Sequence, residues 1–165
     1  MVSIIMGSTS DLPVVRKAAD FLEQLEVPFE MHALSAHRTP AAVEDFARKA
    51  ASRGVKVIIA AAGMSAALPG VIAAQTALPV IGLPISATLQ GMDALLSTVM
   101  MPPAIPVASV GIDAALNAGV LAVRILALSD TALAERYAAY CASLEDKVKV
   151  ADAALGAIED YKFKV

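Results

Sequence analysis

The chain has 165 residues, 58% of them hydrophobic and 18% charged, and a formal net charge of −3. That length fits one domain with a substantial core, and the apolar content excludes a disordered polar chain. The 13 Lys and Arg are scattered singly or in pairs, so there is no basic stripe to follow a phosphate backbone, and nucleic acid is not an expected partner.

The first residues, Met1-Val-Ser-Ile-Ile-Met, are followed by Gly7. They carry no basic region and no apolar segment of signal-peptide length, which predicts a cytoplasmic location. "VSIIM" reads as a short strand, and "LPVVRKAADFLEQL" as a helix with Val14, Val15, Ala18, Phe21, Leu22 and Leu25 at helical spacing. Asp11 is expected to cap that helix, with Pro13 in its first turn, where a missing N–H costs nothing. "FEMHAL" alternates apolar and polar residues like a strand with one wetter face. Thr39 and Pro40 then repeat the cap-and-proline signal for a helix carrying Val43, Phe46, Ala47 and Ala50, which stops at Gly54.

"VKVIIAA" and "LPVIGLP" read as strands buried on both faces, with "SAALPGVIAAQ" between them as a tightly packed helix, and "IPVASVG" as a fifth strand. Between Lys56 and Arg124 the charged residues are Asp93 and Asp113, yet Gly63, Pro69, Gly70, Pro79, Gly82 and Pro84 cut the stretch into pieces shorter than the ~20 apolar residues of a membrane span. The excess of apolar residues instead predicts subunit interfaces. Five strands alternating with helices predict an α/β fold with a parallel sheet covered on both sides, and ligands at the carboxyl ends of its strands.

From Thr131 onward Leu133, Tyr137, Tyr140, Leu144, Val148, Ala151, Leu155 and Ile158 recur at steps of three and four. They predict one helix over about 131–158, roughly 40 Å long, more than a domain this small can cover, so it is expected to pack on neighbouring subunits. Residues 1–165 are read as a single domain, with its core in 1–128. The lone Cys141 cannot form an internal disulfide and is expected to be a small buried apolar residue remote from the site.

Three strand-end loops converge under this scheme. In "GSTSD" (7–11), Gly7 lets backbone approach a ligand, Ser8 and Ser10 offer hydroxyls, and the next helix start presents N–H groups suited to phosphate, while Asp11 can accept from ribose hydroxyls. The same pattern also suits an ordinary capped turn. In "SAHR" (35–38), following Ser35, Arg38 carries a planar fork able to grip a phosphate or carboxylate at two points. An imidazole titrates near neutrality, so His37 can give and take a proton within one turnover. A capping turn with Arg38 in water and His37 against the sheet edge is the alternative. In "AGMSAALPG" (62–70), Gly63, Ser65 and main-chain amides can bond a small polar ligand, with Met64 and Leu68 as apolar walls; the small residues equally suit close helix packing. His32 shares a strand face with Glu30 and receives no role. His and Cys have no metal-binding spacing, and no nucleophile elbow or Walker loop is present, which takes support from metal and nucleophilic mechanisms and leaves proton transfer on a small anionic substrate.

At these residues the chain resembles the N5-carboxyaminoimidazole ribonucleotide mutase family of purine biosynthesis, also described as the catalytic subunit of phosphoribosylaminoimidazole carboxylase. The resemblance runs in order through "IIMGSTSD", "SAHRTP", "VIIAAAGMSAALPGVIAAQTALPVIGLPI", "GMDALLS" and "MPPAIPVASVGIDAALNAGVLAVRIL", about residues 3–126. It implies a flavodoxin-like three-layer sandwich assembled as a homo-octamer with sites between subunits. It also implies transfer of a carboxylate from N5 to C4 of the aminoimidazole ribonucleotide, without cofactor. The resemblance implies that Ser8, Asp11 and Arg38 bind the nucleotide and that His37 acts as general acid and base; the three loops add Ser10, Ser35, Gly63, Ser65 and Leu68 as expected substrate-binding residues. Ala67 stands where many relatives have a second histidine, and Met100 and Ala104 where many have Gln and Gly. Those departures leave open an enzyme that carboxylates aminoimidazole ribonucleotide with free carbon dioxide, and a nucleotide-binding paralogue without activity. A flavin carrier is the non-enzymatic alternative, disfavoured because the three loops hold no aromatic residue.

Overall fold

The computed structural model describes residues 1–162 and 164; residues 163 and 165 of the expected 1–165 unit lie outside the described residues. Its centre is a five-stranded parallel sheet: β1 (Val2–Met6), β2 (Phe29–Ala33), β3 (Val57–Gly63), β4 (Val80–Ile85) and β5 (Ala108–Ser109), in the spatial order 2-1-3-4-5. The hydrophobic pattern explains the order. Every residue of β1 and β4 is buried, and so is β3 up to Ala62, so these strands belong inside a sheet covered on both faces. By contrast, β2 carries Glu30 and His32 and lies at an edge, where charge discourages further pairing.

Two helical layers cover the sheet. Helices α1 (Leu12–Gln24) and α5 (Ala115–Ala127) pack Val15, Ala18, Leu22, Ala118 and Ala122 against Ile4, Ile59 and Leu83. On the other face, α2 (Pro40–Ala50), α3 (Leu68–Ala73) and α4 (Met92–Val99) bring Val43, Phe46, Ile72 and Ala94 onto Ile5, Ile58 and Ala60. The result is a three-layer flavodoxin-like α/β sandwich, as the fold expectation had it. Its central side chains, such as Ile59, are fully buried, and truncating one of them to Ala costs about 2–5 kcal/mol.

Several local expectations need correction. The fifth strand shrinks to two residues, because Pro106 offers no N–H for a ladder, although Val110 N still donates to Gly82 O at 3.1 Å. Helix α3 begins at Leu68 rather than at Ser65, with Met64 ahead of it in a left-handed conformation that no helix continues through. Helix α4 forms where the sequence pattern predicts no element. Asp11 does not cap α1 by its side chain: its own backbone (φ −83°, ψ −12°) is already helical, so the carboxylate cannot reach back as a cap in extended backbone does. Thr39 likewise makes no cap bond to α2. Gly54, at φ 86°, does close the helical turn after α2.

The last helix, α6 (Thr131–Gly156), starts where Asp130 Oδ1 accepts from Leu133 N at 3.0 Å. Tyr140 meets Phe21 edge-on, with ring centroids 4.9 Å apart, and Arg136 Nε donates to Leu25 O at 2.9 Å. Residues 142–156 are exposed, so the second half of the helix has no cover within the protomer. Cys141, expected to be buried, is only partly so, because it sits where the helix leaves the domain. Among the described residues no helix is long and apolar enough to cross a membrane.

Candidate active site

Because the strand order reverses after β1, with β2 on one side of it and β3 on the other, the loops leaving β1 and β3 part and open a crevice. A cavity of about 560 Å³ lies there. The first loop contributes Ser8, Ser10 and Asp11 to its walls, the second Ser35, His37 and Arg38, and the third Gly63, Ser65 and Leu68. All nine candidate positions therefore share one cavity. Met64, expected as an apolar wall, lines it too.

The first loop is organised around Ser8. Its Oγ accepts from Ser10 N at 3.2 Å, capping the short 3-10 turn Thr9–Asp11 that leads into α1. Ser10 Oγ lies 2.8 Å from Ser8 Oγ and 3.3 Å from Asp11 Oδ1, so its single proton serves one of them at a time. Burial raises the Asp11 carboxyl above the usual aspartate range; the Ser10 hydroxyl and a bond from the Ser8 backbone work against that rise. An acid in this state is ready to accept hydrogen bonds that restore its lost solvation.

The second loop is held by reciprocal bonds. Thr39 Oγ1 donates to Ser35 O at 3.1 Å and accepts from Ser35 N at 3.0 Å, which uses its hydroxyl inside the turn rather than on the helix. Ser35 Oγ accepts from Arg38 N at 3.2 Å and Arg38 Nε at 3.4 Å, and Arg38 Nη2 donates to Gly7 O at 3.3 Å. Anchored by Nε and one Nη2 hydrogen, the guanidinium keeps its other N–H groups for an anion. His37 occupies the exposed tip of the turn, with no intramolecular hydrogen-bond partner among the described residues.

The third loop brings backbone close. A Cβ on Gly63 would stand 2.9 Å from Ala87 Cβ and 3.3 Å from Ile85 O, so only glycine lets the loops after β3 and β4 approach this closely. Ala87 thereby joins the cavity wall, a contribution the sequence reading missed. Its signal was its place just past the carboxyl end of "LPVIGLPI". Ala36, Ala62, Ala66 and Ala67 add small apolar surface. His32 is turned elsewhere, with Nε2 3.4 Å from Glu30 Oε1 and its ring 5.2 Å from that of Phe46. Among the described residues no cluster of His, Cys, Asp and Glu could hold a metal ion.

A doubly wound sheet in the flavodoxin order, with an arginine fork, hydroxyls and one imidazole around a crevice at its switch point, defines an α/β protein of the class that takes small molecules at the carboxyl ends of its strands. The chain belongs to the AIR carboxylase family, whose model matches residues 1–147. It is 56% identical over 140 residues to an N5-carboxyaminoimidazole ribonucleotide mutase of Pyrococcus abyssi, spanning 84% of this chain and 80% of that one. To a phosphoribosylaminoimidazole carboxylase of Candida glabrata it is 47% identical over 164 residues, 99% of this chain but 29% of that longer one. The crystal structure of Treponema denticola PurE superposes with a TM-score of 0.82 at 29% identity, covering 93% of this chain and 97% of that one.

Proposed function

We propose that this protein is an isomerase of purine biosynthesis that converts N5-carboxyaminoimidazole ribonucleotide to 4-carboxy-5-aminoimidazole ribonucleotide, with His37 as its single proton shuttle. The observation that carries the reading is the shared cavity, in which Arg38, the Ser8–Ser10–Asp11 loop and His37 face one space. The relatives named as mutases support the choice of substrate.

Arg38, Ser8 and Ser10, with the N–H groups opening α1, suit the phosphate, and the Asp11 carboxylate suits the ribose hydroxyls. Ser35 holds Arg38 in place, while Gly63, Ser65 and Leu68 bound the flat heterocycle. The carbamate C–N bond at N5 breaks, carbon dioxide leaves, and N5 takes a proton from the His37 imidazolium. C4 then attacks the carbon dioxide, forming a C–C bond, and gives its proton back to the neutral imidazole. No proton is gained or lost overall. Holding carbon dioxide beside C4 makes its recapture effectively unimolecular, a gain worth up to ~10 kcal/mol in well-oriented cases.

The same reading takes residues 1–165 as one domain acting in the cytoplasm, assembled with copies of itself as a homo-octamer. The exposed second half of α6 supports the assembly: Leu144, Val148 and Leu155 lie open on it, and an isolated helical stretch of about this length is marginal in water. A monomer in light scattering would overturn that part.

The deciding experiment supplies the purified protein with the N5-carboxylated nucleotide, and separately with aminoimidazole ribonucleotide plus bicarbonate. The mutase reading expects product from the first. Product from the second alone would make the protein a carboxylase, and product from neither would make it an inactive paralogue.

A further inference from the structure

Met64 is one of the few non-glycine residues with a left-handed backbone, at φ 56°. That conformation is sterically costly for a residue with a Cβ and carries no such strain for glycine. Met64 is 58% exposed, so packing within the protomer does not repay the strain. Yet it lines the cavity, between Gly63, where no side chain fits, and the short Ser65. Leu68, the other long apolar residue of this loop, is 2% exposed and fixed in the core. Met64 is thus the one long apolar side chain of its loop at the cavity that its own protomer leaves unfixed, on a backbone clamped by the bond from Ala66 N to Met64 O at 2.8 Å.

We propose that Met64 is a positioning residue that acts as an apolar shutter: its thioether swings over the open edge of the occupied cavity, keeping water out and carbon dioxide in. The inference rests on the mutase reading, since only a reaction with a released gaseous intermediate needs such a barrier. Methionine suits the task because three rotatable bonds let it adapt to a ligand, and its sulfur packs well on a flat ring. It is from this left-handed backbone that Met64 reaches the cavity wall. Carbon dioxide is nonpolar and finds no hydrogen-bonding partner in a thioether, so the shutter confines it without trapping it as a ligand.

The test uses N5-carboxyaminoimidazole ribonucleotide carrying ¹³C in its carboxylate, in excess unlabelled bicarbonate, with the full-length protein. Mass spectrometry reads label retained in the C4 carboxylate and free aminoimidazole ribonucleotide released per product. The wild type should retain label, whereas Met64→Ala and Met64→Gly should release about tenfold more free intermediate at a KM changed less than about twofold, and Met64→Leu should restore most of the retention. Both small variants should fold, Met64→Gly with a Tm at or above that of the wild type, because glycine relieves the strain. Label retention in Met64→Ala equal to that of the wild type would overturn the shutter while leaving the mutase standing. Label loss accompanied by dissociation in light scattering would also overturn it, by making Met64 an interface residue. No product from the labelled nucleotide with wild-type protein would remove the mutase reading itself, and the shutter with it.

Discussion

Arg38 Nη2 donates to the carbonyl oxygen of Gly7 at 3.3 Å, joining the loop after β2 to the loop after β1 across 31 positions of sequence. Ser35 Oγ steadies the same guanidinium through Nε. The bond sets the spacing between the hydroxyl-bearing loop and the imidazole-bearing one, so the side chain that shapes the cavity is also the one to which the mutase reading gives the ligand. Replacing it with lysine keeps the charge but loses the fork. Arg38→Lys should raise KM roughly 10- to 100-fold, the equivalent of losing one or two charge-assisted hydrogen bonds, with a smaller fall in kcat. Steady-state kinetics with the N5-carboxylated nucleotide checks this, and an unchanged KM would free Arg38 from substrate binding.

His37 should separate chemistry from folding cleanly. It is exposed, and no hydrogen bond among the described residues depends on it. His37→Asn is therefore expected to leave the denaturation midpoint where it was, and nucleotide binding by calorimetry nearly so. Turnover should fall at least ~100-fold, the usual contribution of a positioned acid–base group. Retained turnover would assign the proton transfers to another group.

A second set of charges, away from the cavity, governs acid stability. Burial alone would raise the Glu30 carboxyl, but the hydrogen bond and charge of Arg53, 3.0 Å away, together with the Ser3 hydroxyl and His32, outweigh it and hold Glu30 below its ordinary range. Ser3 faces Glu30 in register across β1 and β2, and Arg53 lies over the Phe46 ring at 4.9 Å. A carboxylate whose native pKa is depressed stabilises the fold above its unfolded pKa, about 4.3 for glutamate, and loses that contribution as pH falls through the lower native value. Glu30→Gln should thus be less stable than wild type at neutral pH, with the two converging in acid. Parallel denaturation curves from pH 7 to pH 3 read the difference, and a constant gap would refute the linkage.

Ala104 is strained in the same sense as Met64, with φ 72°, but lies outside the cavity lining. Glycine is free of that strain, although it loses more backbone entropy on folding. Ala104→Gly should raise stability by about 0.5–1 kcal/mol in chemical denaturation, with no change in turnover. Loss of stability would show that the methyl group packs productively.

The cavity loops were legible for different reasons. Arg38 and His37 announced themselves because guanidinium and imidazole are uncommon beside such apolar strands, and Gly7 and Gly63 because each ends a strand. Ala87 announced nothing, since an alanine becomes a wall only when a neighbouring strand brings it within reach of Gly63. Helix α4 escaped because burial in it runs against residue type: Met92, Leu96 and Val99 are exposed while Thr98 is buried, so the apolar positions do not mark the buried face. The Asp11 cap failed because backbone torsion, rather than residue type, decides where a carboxylate can point.

What the chain determined by itself was the alternation of elements, the burial of β1, β3 and β4, and the reach of α6, because hydrophobic period and element length are local properties summed along a segment. Only the tertiary structure decided that the nine candidate residues meet in one crevice. Strand order and crossover depend on how whole faces pack against each other, and no single segment carries that information. The left-handed torsions of Met64 and Ala104 belong with them: an L-residue enters that region only when the packed framework around it leaves no cheaper path.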